Sequence, residues 1–91
     1  MKAHEFLQAG VDAMADRAKQ RDTPDGERSM NRAVIAFAAM TGHELTEHDG
    51  WLFMALLKMS RATASDVVRE DDYIDGAAYF ALAGESVSES P

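Results

Sequence analysis

Seven consecutive residues, Trp51 to Leu57, are apolar, so a helix built on them is greasy all round. Such a helix needs cover on most faces. In a chain of 91 residues, one such segment dictates the rest. It is either the central helix of a small bundle or the seam of an oligomer. Its start is marked by Thr46, a residue type whose side chain caps free helical N–H groups. Glu47 and Asp49 follow in the first turn, where the helix dipole favours carboxylates. Lys58 and Arg61 close it.

The flanking segments supply cover. Leu7, Val11, Met14 and Ala18 recur at helical spacing and predict a first helix from Ala3 to Gln20, slightly weakened by Gly10. Arg21 to Gly26 contains Pro24 and Gly26 and reads as a turn. A second helix is predicted from Glu27 or Arg28, with Met30, Val34, Phe37 and Met40 or Thr41 on one face and Gly42 just past its end. Thr63 to Arg69 is ambiguous: Val67 and Val68 either extend a helix or pack a loop down. A fourth helix is predicted from Asp71 or Asp72 to about Ala83, with Ile74, Ala78, Ala81 and Leu82 on one face. Gly76, Ala77, Ala78 and Ala81 are small enough to admit another helix closely. Residues 86–91 read as a frayed tail after one domain spanning 1–85. Strand alternation and internal repeats are absent, and short connections favour antiparallel neighbours. The expected fold is therefore all-α, an antiparallel bundle of about four helices. A chain of this size buries only about 60–65% of its unfolded surface. Its stability as a single chain is expected to be marginal, so a homo-oligomer formed through Trp51, Phe53, Met54 and Leu57 is expected.

Composition removes several functions. The net charge of −7 argues against binding a nucleic-acid backbone, which requires clustered Lys and Arg. Arg17, Lys19 and Arg21 form a basic run, but Asp16 and Asp22 flank it, so it reads as a solvated helix end. No cysteine is present, which removes thiol catalysis and zinc–thiolate sites. No apolar run approaches the ~18 residues of a membrane span, and the first residues lack an apolar signal core. A cytoplasmic protein without membrane attachment is the expectation. His43 and His48 are five apart, a poor spacing for two metal ligands on one helix face. Ser29, Ser60 and Ser65 have no evident base.

One constellation remains. Lys58 and Arg61 share a helix face, as do Asp71 with Asp75 and Asp72 with Asp75. If the third and fourth helices pack antiparallel, these groups meet at one end. The cluster is then either a charge network stapling two helices or a ligand site. In a ligand site, Lys58 and Arg61 grip a phosphate while Asp71, Asp72 and Asp75 hold Mg²⁺, with Asp72 and Asp75 the nearest thing to a metal pair. No other cofactor is expected. A secondary anion candidate is Arg28 with Asn31 at a helix start, opposed by Asp25 and Glu27. Trp51, Phe53, Met54 and Met59 offer a soft face for a protein partner, with core packing as the alternative.

The stretches RDTPDGERSM, TGHELTEHDGWL with LLK, and DDYIDGAAYFALAGE resemble an uncharacterised family of short phage and prophage proteins, over roughly Ala15 to Glu85. The resemblance implies that Asp71, Asp75 and Tyr79 occupy the family's last motif, with Asp72 where Ser is usual. Leu56-Leu57-Lys58 and Arg61 fit the preceding one. A Lys-x-x-Arg helix before a carboxylate helix is also faintly similar to phage nucleotide-metabolism proteins and to all-α pyrophosphatases of the MazG type. Those enzymes carry two acidic motifs on separate helices, one of them Glu-x-x-Glu. Here Asp72 and Asp75 match one motif only, while Glu44, Glu47 and Asp49 sit in another arrangement. The expected function is thus a phage-type accessory protein that binds a host or phage protein without catalysis, as an inhibitor or modulator. The alternative is a nucleotide-binding or nucleotide-hydrolysing protein using Mg²⁺ and the charge cluster.

Overall fold

A computed structural model describes residues 1–20 and 29–88, with the backbone alone for 18–20. Four helices follow in order: α1 (Ala3–Gln20), α2 (Met30–Thr41), α3 (Glu47–Thr63) and α4 (Glu70–Ser88). No strand occurs among the described residues. The expected all-α bundle is what the chain forms.

Local chemistry explains several boundaries. The Thr46 hydroxyl accepts from the Asp49 N–H, and the Asp49 carboxylate accepts from the Thr46 N–H, each at 3.0 Å. This capping box satisfies two otherwise orphaned donors at the start of α3. The Thr46 N–H bond to the carboxylate, followed by the nearby Thr46 side chain, holds the Asp49 carboxyl below its ordinary range. Gly42 ends α2 in the left-handed conformation at φ 76°, and its N–H returns to the Ala38 carbonyl. Residues without a Cβ reach that conformation with little strain. The predicted start of α2 at Glu27 or Arg28 lies outside the described residues.

α3 and α4 form the centre. They run antiparallel: Arg61 meets Asp72, Lys58 meets Asp75 and Trp51 meets Tyr79. α1 packs on α4 and α2 packs on α3. The core is thin. Its buried apolar residues are Val34, Trp51, Ala55, Ala78, Leu82 and Ala83. Trp51, Leu82 and Ala83 form a cluster joined by Met14 from α1 and Met30 from α2, so all four helices reach it. At Gly50 a Cβ would collide with the Met30 thioether and press on Val34, so the missing side chain is what lets α2 close on α3.

Several predicted faces are rotated. Leu7 and Val11 are exposed, and α1 meets the body through Phe6, Gly10, Met14 and Arg17 instead. At Gly10 this face carries no side chain, and a Cβ there would just reach the Ile74 carbonyl and Ala78 of α4. On α4, Ala81 points outward and Ala83 is fully buried. On α2, Met40 stands in solvent. Val67 and Val68 neither extend a helix nor pack down, since both lie exposed in the α3–α4 connection. The tail expected from residue 86 does not begin there. α4 continues through Ser88, with the Ser86 hydroxyl donating to the Ala83 carbonyl and the Ser88 hydroxyl to that of Gly84.

Candidate functional site

The antiparallel α3–α4 pair brings the charged residues together at one end. Asp75 is the hub. One carboxylate oxygen lies 3.1 Å from the Lys58 ammonium, and the other 3.2 Å from the Arg17 guanidinium. All three side chains are largely buried, with 14–28% of their surface exposed. The Arg17 guanidinium also lies 5.6 Å from the centre of the Tyr79 ring. Tyr79 in turn stacks on Trp51 at 5.8 Å between ring centres. A continuous set of contacts therefore runs from the α1 cation through the α4 carboxylate and aromatic ring to the core indole of α3. Arg17 keeps one buried guanidinium nitrogen without a hydrogen-bond partner.

Asp72 is the second carboxylate. It is only 4% exposed, and Arg61 reaches it at 3.5 Å. A carboxylate this deep is costly without a compensating charge. Its place in the first turn of α4 adds the favourable end of the helix dipole. Asp71 faces solvent and joins no ion pair among the described residues. Lys58, Arg61, Asp71, Asp72 and Asp75 line, with Arg69 and Glu70, an open polar cleft of about 470 Å³.

The predicted constellation thus assembles, with one addition. Arg17 belongs to it, although the basic run looked like a solvated helix end. The signal was its spacing from Met14 and Gly10, which puts it on the face of α1 that meets α4. Asp72 and Asp75 were the candidate Mg²⁺ pair. Their oxygens are engaged by Arg61, Lys58 and Arg17, and no three metal-ligating side chains converge among the described residues. Of the secondary anion pair, Arg28 lies outside the described residues. Asn31 lines a shallow hollow that also holds Glu44 and Glu47, whose charge repels an anion.

The family is decided by a match along residues 8–87, most of the chain, to a domain of unknown function, DUF6378. The chain belongs to the DUF6378 family. No curated protein and no solved structure matches it. The matched span of the DUF6378 domain takes in α4 as far as residue 87 and every residue of the charge cluster.

A second feature of this DUF6378 chain adjoins the cluster. The seam between α3 and α4 opens into an apolar groove of about 590 Å³, walled by Leu52, Leu56 and Met59 on one side and Tyr73, Ala77 and Phe80 on the other. Most of these side chains are exposed. The predicted partner face divides differently. Trp51 is buried and Met54 packs against the core, so neither is free to meet a partner. Phe53 and Leu57 are exposed but lie outside the groove. The reason is helical phase: of a segment greasy all round, α4 covers the face carrying Trp51 and Ala55, and the neighbouring face stays open. No helix among the described residues is long and apolar enough to cross a membrane.

Proposed function

We propose that this chain is a non-catalytic binding protein of the short phage type, an intracellular accessory that modulates its partner by docking the α3–α4 groove on apolar protein surface. The observation that carries the reading is the contrast at one helix pair. The carboxylates Asp72 and Asp75 are engaged by the chain's own cations, whereas most of the apolar residues that wall the groove stay exposed among the described residues. Exposed apolar patches of this kind mark interaction surfaces.

A second reading keeps the nucleotide alternative, with Mg²⁺ as cofactor. It rests on the open polar cleft, lined by the exposed Arg61 and Arg69, by the paired Lys58, and by Asp71, which joins no ion pair among the described residues. In that reading a phosphate replaces Asp75 or Asp72 as partner of the cations. Thermal melts with a panel of nucleotides, each with and without Mg²⁺, separate the two. A ligand at a hundredfold excess over its Kd stabilises the native state by ~2.7 kcal/mol. The binding reading expects no shift and no turnover. A nucleotide-dependent rise that Asp75→Asn abolishes would replace it with the second reading.

A further inference from the structure

We propose that the α3–α4 groove is covered by the same groove of a second copy of this chain, so that two α3–α4 pairs stack about a twofold axis into a four-helix core. The inference rests on the binding reading's assignment of the groove to an apolar protein surface. It makes that surface a second copy of the chain, so that a host or phage partner meets the dimer outside the groove. Three observations favour a copy of the chain over any other cover.

The first is the thinness of the core. Among the described residues, half of its six buried apolar residues are alanines, and no large side chain is completely buried. A single chain of this size with so small a core is marginal. Whatever covers the groove must therefore be present whenever the chain is folded. A second copy is the one partner supplied in equal amount under every condition.

The second is shape. Gly76 and Ala77 leave a low strip between the helices, where a Cβ on Gly76 would lie 3.5 Å from that of Lys58. Phe80, Met59, Leu56 and Tyr73 flank it at 64, 59, 58 and 48% exposure. A twofold axis places the ridges of one copy over the low strip of the other, which is the self-complementarity an isologous interface requires. Stacked helix pairs of this kind are the ordinary way a bundle core is completed.

The third is charge. Each chain carries a net −7, so two copies repel over most of their surfaces. The groove is the exception. The charged residues at its wall, Lys58 and Asp72, are each neutralised within the chain by Asp75 and Arg61. Two acidic copies can close on this face without setting like charges together.

Light scattering coupled to size exclusion, from micromolar to ~100 µM chain, tests the proposal. The wild type is expected at twice the 10.0 kDa chain mass. Leu56→Glu and Phe80→Glu, at exposed groove positions, are expected at the single-chain mass with helical content retained. Phe53→Glu, exposed but outside the groove, is expected to remain a dimer. Should either glutamate variant unfold, Leu56→Ser and Phe80→Ser weaken the same contact more gently and are expected to lower the dimer fraction at least tenfold. A wild type that is monomeric throughout overturns the proposal. So does a dimer indifferent to both groove substitutions or broken by Phe53→Glu. The nucleotide melts judge the underlying binding reading separately, since a monomer that ignores nucleotides removes only the second copy as occupant.

Discussion

Two regions of the same helix pair are built on opposite principles. Where the end of α3 meets the start of α4, every deep charge has an opposite charge within 3.5 Å. Alongside, the apolar groove is walled by side chains most of which stay exposed among the described residues. A cluster rich in charge invites a catalytic reading, and a greasy helix invites a structural one. The geometry pairs the deep charges across three helices and leaves most of the groove residues exposed; in the function proposed above, the first is a staple and the second a docking face.

The largest expected effect tests the charged side of this contrast. Asp75→Ala leaves Lys58 and Arg17 facing each other, partly buried, without their shared counter-ion. Removing one partner of a buried pair costs 3–5 kcal/mol. With some solvent reaching this trio, a loss of about 2–3 kcal/mol is expected in urea unfolding. A ligand site would tolerate the change better, since relief of strain there often stabilises. Arg61→Ala is expected to cost less, about 1–2 kcal/mol, because Arg61 is more than half exposed and solvent screens its longer pair with Asp72. A double-mutant cycle between Lys58 and Asp75 sharpens the point. Coupling above ~0.5 kcal/mol that no nucleotide alters marks a staple.

Thr46→Ala probes the far end of α3, away from both regions. Loss of the cap costs about 1 kcal/mol and leaves the cluster and the groove unchanged. The pH response of this cap has a definite sign. Asp49 titrates below the ordinary carboxylate range when folded, so its contribution is complete at neutral pH and fades as the pH falls through that range and below it. Asp49→Asn should flatten that part of the acid unfolding curve. The smallest effect is a gain. At Gly10 an added Cβ finds ordinary contacts, 3.7 Å from the Ile74 carbonyl oxygen and 4.0 Å from the Ala78 Cβ. Gly10→Ala should therefore stabilise by up to ~1 kcal/mol through helix propensity, visible as a raised melting temperature.

Much of this was legible in the sequence, and the gaps have physical causes. The starts and stops of helices are local, so Thr46, Asp49 and Gly42 announced themselves through capping chemistry. The meeting of Lys58 and Arg61 with Asp72 and Asp75 followed from element order once an antiparallel pair was assumed. Which face of α1 turns inward was not legible. Leu7 and Val11 look more apolar than Gly10 and Arg17, yet the face that turns inward is the one with Met14 in the core and a counter-ion for Arg17 at Asp75. Arg17 was hidden for the same reason, since its partner lies 58 residues away. The groove was only half visible. A segment greasy on all sides says that something covers it, but helical phase against α4 decides which side remains open.

The account divides the work: charge holds the fold and the groove meets a second copy. The unfolding midpoint at two chain concentrations a hundredfold apart tests that division most directly. For a folded dimer that separates on unfolding, this range is worth ~2.7 kcal/mol. The wild-type midpoint is predicted to rise with concentration, that of Asp75→Ala to start lower and rise equally, and that of Phe80→Glu to stay level. A wild-type midpoint independent of concentration, or a Phe80→Glu midpoint that still rises, would contradict it.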